Sequence, residues 1–220
     1  MIVITGASDG LGLELAKVFK AANKTVINVS RRESEAADHN IFADLSVGNE
    51  ITEAAKEILA IDESLEAIIN NAGVYSEEPI SAITEEEVDR LLATNVKSGI
   101  LLTSKLIERI KQDQTDIVNV LSTAATKGNP NHAAYAASKW AQRGYSESLQ
   151  NELKHTPSRV INIMPGGMQT KLFAKTLTND PTDNGYWMDP ADIATLIKQL
   201  LDLPKGIEVS ELVVNRKLTK

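Results

Sequence analysis

The 220-residue chain contains no cysteine, so it can build no disulfide framework, thiolate nucleophile or cysteine-ligated metal site, which fits a reducing compartment. Histidine is scarce as well. His39, His132 and His155 stand apart, none pairs at metal-ligand spacing, and no metal centre is expected. No apolar run approaches the length of a membrane span. Met1 leads straight into an apolar strand and a glycine turn, without the basic region of a signal peptide, so a cytoplasmic protein is expected. Positive charge is in deficit. The 23 Lys and Arg against 30 Asp and Glu leave a net charge of −7 and an isoelectric point near 5.1, which argues against nucleic acid or an anionic membrane as the main partner. A small-molecule substrate is the partner that remains.

What is present is the composition of a globular protein, 42% apolar and 24% charged, on a chain long enough for one continuous core and cramped for two. Residues 1–220 are therefore expected to form one domain. Short β-branched runs ("IVIT", "TVINVS", "NIFA", "AIIN", "DIVNVLS", "RVINIMP", "VSELVVN") alternate with amphipathic segments at 10–22, 47–61, 85–92, 96–111, 134–154 and 190–203. Seven strands separated by helices predict an α/β fold: a doubly wound, mainly parallel sheet covered on both faces, the Rossmann arrangement. Residues 170–189, which include "TNDPTDNG", lack periodicity and read as a substrate loop or lid.

In such a sheet, ligands bind beyond the carboxyl ends of the strands where strand order reverses. The first strand ends in "TGASDGLG". Gly6 can turn the chain sharply, Gly10 and Gly12 allow close backbone approach, and the helix that follows presents free N–H groups to a phosphate. Ser8 and Leu11 belong to the same candidate cradle. Asp9, an acid inside a phosphate loop, is expected to cap that helix. Ser30, Arg31, Arg32, Asp44, "NNAG" at 70–73, Ser122 and "PGG" at 165–167 end later strands. Tyr135 and Lys139 in "YAASK" stand four apart on one helix face, where an adjacent ammonium would favour the phenolate and move the tyrosine toward neutral pH.

Taken in order and interval, "TGASDGLG", "NNAG", Ser122, "YAASK" and "PGGMQT" closely resemble the short-chain dehydrogenase/reductase family over nearly the whole chain. The resemblance implies an oxidoreductase with Tyr135 as general acid and base, Lys139 lowering its pKa and holding the nicotinamide ribose, Ser122 orienting the substrate oxygen, and Asn95 holding a relay water. It further implies cofactor contacts from Asp44 and Leu45 to adenine, from Asn71, Ala72 and Gly73 on the ribose side, and from Pro165, Gly166, Met168 and Thr170 around the carboxamide. Where family members that choose NAD usually carry an acid at the end of the second strand, this chain has Ser30 followed by Arg31 and Arg32, so NADP(H) is expected. The expected reaction is reduction of a small or medium ketone or aldehyde, or its reverse, with a 3-oxoacyl thioester as runner-up substrate. A cofactor-binding regulator that has lost catalysis is the alternative of another class, although such proteins tend to lose the tyrosine or lysine, and both stand here. The chain is short for the family, so an open or small cleft is expected, and a homodimer or homotetramer paired through the helices near Val96 and Ala134. His132 is expected in a loop or helix-cap role, Trp140 and Tyr145 in the core or a subunit contact, and Trp187 with Met188 as a staple for the last helix.

Overall fold

The computed structural model describes residues 1–173 and 187–217. Its seven strands are β1 (Ile2–Thr5), β2 (Val26–Ser30), β3 (His39–Phe42), β4 (Ala67–Asn70), β5 (Asp116–Val120), β6 (Val160–Pro165) and β7 (Glu211–Val214). They form one sheet in the order β3-β2-β1-β4-β5-β6-β7, and every neighbouring pair is parallel. Parallel strands require crossovers, and the helices supply them. These are α1 (Gly10–Ala21), α2 (Gly48–Ala60), α3 (Glu85–Leu91), α4 (Ser98–Asp113), α5 (Ala133–Leu153) and α6 (Pro190–Leu201).

Strand alternation decides which side chains meet which helices. Val3, Ile27, Val29, Ile68 and Ile117 pack with α2, α4 and α5 on one face. Ile2, Ile4, Val26, Ile69, Val118 and Ile161 pack with α1 and α6 on the other. Both faces are thus buried, which explains why the central strands read as unbroken apolar runs. Strand order reverses between β1 and β4, so the crevice for a ligand opens at their carboxyl ends. Among the described residues, no helix is long and apolar enough to cross a membrane.

Element ends depart from the expected ones in one informative place. The helix expected from 96 begins at Ser98, and Leu92–Lys97 before it form a π-helical turn that links α3 to α4. Such turns interrupt the regular ladder and redirect side chains. Of the expected loop at 170–189, Lys171–Phe173 form a single 3₁₀ turn, while 174–186 lie outside the described residues.

Candidate active site

The glycine turn follows β1 directly. Gly6 (φ +70°) and Gly10 (φ +53°) occupy the left-handed region, where a side chain would be strained. Gly12 has a different task. A Cβ there would stand 2.1 Å from the Gly6 carbonyl oxygen and 2.6 Å from the Asn71 amide nitrogen, so Gly12 lets α1 pack beneath the turn. Gly12 thus serves the packing of the turn, set back from the residues that line the cleft. Asp9 caps α1 as expected, its carboxylate accepting from the Gly10 amide at 2.8 Å. The same carboxylate faces Lys171 Nζ at 3.2 Å and Arg32 at 3.7 Å. Partial burial pushes the Asp9 carboxyl up, but Lys171, the Gly10 amide and Arg32 outweigh it and hold the group below its ordinary range.

Polar strand residues lock this turn in place. Asn28, buried in the middle of β2, accepts from the Ala7 amide at 3.0 Å and donates to the Arg32 carbonyl at 2.9 Å. Thr5 Oγ1 accepts from the amides of Asn71 and Ala72, each at 3.0 Å. The Asn71 side chain donates to the carbonyls of Thr5 and Gly6, so it holds the turn rather than reaching into open space. In the sequence, Thr5 and Asn28 carry one signal: a polar residue within an otherwise apolar strand.

Gly6, Ser8, Gly10, Leu11, Arg31, Arg32, Asp44, Leu45, Asn71, Ala72, Gly73, Ser122, Tyr135, Lys139, Pro165, Gly166, Met168 and Thr170 together line one cleft of about 840 Å³. Asn95 stands behind it. Its carboxamide accepts from the Val74 amide at 2.8 Å and donates to the Val74 carbonyl and to Ser138 Oγ, each at 3.0 Å, tying the "NNAG" loop to α5. The π-helical turn is what points Asn95 at that loop.

Tyr135 and Lys139 rise one turn apart from α5, both almost completely buried. Ser122 borders the cleft beside Tyr135, and its Oγ accepts from the Ala124 amide at 3.1 Å. Lys139 Nζ donates to the Val120 carbonyl at 3.2 Å and lies 5.9 Å from the centre of the Tyr135 ring. Burial pushes the Tyr135 phenol up to about 12, against the pull of Ser122, and holds the Lys139 ammonium down to about 7. The expected lowering of the tyrosine by its lysine is therefore absent in this cleft. Desolvation acts on both groups and disfavours both charged forms.

At the far end of the cleft Arg31 and Arg32 are 73% and 67% exposed, 3.7 Å from Asp44 and Asp9 respectively. Contacts that long and wet are weak, so both guanidinium groups can turn toward a bound anion. Asp44 is held mainly by Ser46, which donates its hydroxyl at 2.7 Å and its amide at 2.9 Å. Thr170 Oγ1 is buried with no hydrogen-bond partner, in a turn that lies against Gly10. Left-handed glycines, an unpartnered threonine hydroxyl and two exposed arginines fit a phosphorylated dinucleotide along this cleft.

Trp187 and Met188 do more than staple α6. Met188 pairs with Met168 as a parallel bridge, and the Trp187 ring covers Gly167 so closely that a Cβ there would meet it at 2.2 Å. They brace the "PGGMQT" turn, while Asp189 caps α6 through the Ala191 amide. Tyr145 packs against the core, but Trp140 is exposed on α5, stacked on Arg143. His132 sits at the cap position of α5 without capping it; its side chain bonds Tyr75 instead.

A family model for short chain dehydrogenases matches residues 1–181. An uncharacterized oxidoreductase of Listeria innocua is 30% identical, the match covering 97% of this chain and 95% of that one. A metagenomic short-chain oxidoreductase solved in complex with NADP is 25% identical, with a TM-score of 0.84 and coverage of 100% and 98%. The 3-ketoacyl-(acyl-carrier-protein) reductase from Brucella melitensis, complexed with NADH, is 26% identical, with a TM-score of 0.86 and coverage of 97% and 95%.

Proposed function

Because the chain belongs to the short-chain dehydrogenase family, we propose that it is an NADP(H)-dependent carbonyl reductase or alcohol dehydrogenase acting on small or medium ketones and aldehydes. One observation carries the reading: Tyr135, Ser122 and Lys139 all line the same cleft, Tyr135 and Lys139 one helical turn apart and the Ser122 hydroxyl near enough to draw the phenol's pKa down. Two hydroxyls that converge in this way can both donate to a carbonyl oxygen and stabilise it as it becomes an alkoxide. Tyr135 gives the proton in reduction and takes it back in oxidation. Lys139 stands where its ammonium can hold ribose hydroxyls. The chemistry drawn from bound nicotinamide is hydride transfer. Gly6, Ser8, Gly10 and Leu11 hold the pyrophosphate, Asp44, Leu45, Ala72 and Gly73 the adenosine side, and Thr170 with Met168 the carboxamide. Asn95 keeps the loop and α5 in register for the proton relay.

Arg31 and Arg32 support the choice of NADP(H), since Ser30 leaves no acid at the end of β2 to repel a 2′-phosphate. Similarity to the Brucella reductase favours a 3-oxoacyl thioester as second substrate class. Glu86 and Asp89 on the cleft wall weigh against a polyanionic carrier. Exposed Trp140 supports assembly of a homodimer or homotetramer through α5. The test is oxidation of NADPH and NADH against a panel of ketones, aldehydes, quinones and oxoacyl thioesters. NADPH consumption with a ketone or aldehyde is expected; no consumption across the panel would overturn the reading.

A further inference from the structure

Two loops meet in front of Tyr135, and the side chains that join them are Tyr75 and His132. The Tyr75 ring meets the Tyr135 ring edge-on, with centres 4.9 Å apart and planes at 71°. Its hydroxyl lies 2.6 Å from His132 Nε2, and His132 Nδ1 lies 2.6 Å from the Pro130 carbonyl. A carbonyl only accepts, so in the neutral ring Nδ1 carries the proton and Nε2 accepts from Tyr75. The backbone is held in step: Arg90 donates to the Tyr75 carbonyl at 3.0 Å, and the Glu78 amide donates to the Asn131 carbonyl at 2.8 Å. Asn131 adopts a left-handed turn (φ +61°) immediately before His132.

We propose that Tyr75 and His132 are positioning residues: a hydrogen-bonded aromatic brace that fixes the ring of Tyr135 against the substrate carbonyl. The proposal rests on Tyr135 being the proton donor. Two torsions separate the Tyr135 hydroxyl from α5, and small displacements at a reacting atom are costly in rate. Ser122 borders the cleft beside the hydroxyl end. Tyr75 fixes the ring face by shape, and His132 fixes Tyr75 because Pro130 holds His132. The Glu77 carboxylate, 3.1 Å from the Tyr75 hydroxyl, is a second acceptor for its proton, and the shorter contact is to His132.

A double-mutant cycle separates this role from a mere tie between loops. In the parent background Tyr75→Phe is expected to lower kcat about three- to tenfold and Tyr75→Ala at least about thirtyfold, with NADP(H) Kd and Tm near parental for Tyr75→Phe. His132→Phe should match Tyr75→Phe, and the two together should be no worse than either. In a Tyr135→Phe background the same changes should cost less than about twofold, because the group they position is gone. Equal losses in both backgrounds, or parental kcat in Tyr75→Phe and His132→Phe, would overturn the proposal. If Tyr135→Phe itself keeps parental turnover, the acid–base reading fails, and the brace falls with it. Should Tyr75→Ala not fold, Tyr75→Phe still decides, because it keeps the ring and removes only the hydroxyl.

Discussion

Lys139 is buried with its amine on the Val120 carbonyl, and burial holds it at about 7 instead of the ordinary 10.5. Below pH 7 the ammonium is charged in both folded and unfolded chains, and the folded state carries the whole cost of burying it. Between 7 and 10.5 the folded protein has lost the proton that the unfolded chain keeps, so this group makes stability rise with pH. Lys139→Met should therefore stabilise the protein at pH 6, with the gain shrinking toward pH 10; denaturant unfolding at the two pH values checks it, and a pH-independent difference would count against it. Arg31 carries a second residue-scale expectation. Arg31→Ala should weaken NADP(H) by about 1.5–3 kcal/mol, some ten- to a hundredfold, while changing NAD(H) little. Fluorescence titration with both cofactors measures this, and equal losses for the two would remove Arg31 from phosphate recognition. Spacing alone placed Tyr135 and Lys139 on one helix face, because i and i+4 share a face in any helix. It gave the wrong sign for the tyrosine's shift, since burial is a property of the folded cleft and not of the interval.

Among the elements, the turn between β1 and α1 concentrates the most constraint. Gly12→Ala would drive a methyl into the Gly6 carbonyl, where backbone cannot yield, and should cost about 3 kcal/mol or more. A fall in Tm with loss of cofactor binding is expected; a parental Tm would show that α1 can shift. Asp9 does two jobs at this turn, as cap for α1 and as counter-charge to Lys171 and Arg32. Asp9→Asn keeps a capping oxygen and removes the charge that Lys171 and Arg32 favour, so it should lower Tm modestly and tighten NADP(H) severalfold. Unchanged affinity would show that Asp9 exerts no charge effect on the site. The glycines and the cap were legible because each answers a local backbone demand. The π-helical turn at Leu92–Lys97 was not. The pattern gives two helices broken at 93–95, where the chain instead runs on through a π-helical turn whose Asn95 makes a tertiary bond to Val74.

At the scale of the whole molecule, the seven strands could be read because each is a β-branched run buried on two faces, and a parallel sheet was the one economical way to join them. What holds the far edge together was not readable. Arg159, buried, pairs with Asp116 at 2.7 Å and donates to the carbonyls of Leu201, Leu203 and Ile207, each at 3.0 Å, which anchors the end of α6 to β5 and β6. Its partners lie more than forty residues away in sequence, and only folding brings them together. Arg159→Met should cost about 3 kcal/mol by removing the buried partner of Asp116 and its bonds to the three carbonyls, Lys205 at 2.7 Å being left as the partner of the Asp116 charge. The network is remote from the cleft, so the folded variant should bind NADP(H) as the parent does. The cleft, by contrast, depends on strand ends that the topology gathers at the switch point between β1 and β4, and the catalytic proposal stands or falls there. Its most direct test is carbonyl-dependent NADPH oxidation by the parent and Tyr135→Phe side by side, with NADP(H) Kd measured for both. Turnover lower by about a hundredfold or more with Kd preserved is expected, since only the transferable proton is removed; turnover within a few-fold of the parent would contradict the acid–base role of Tyr135.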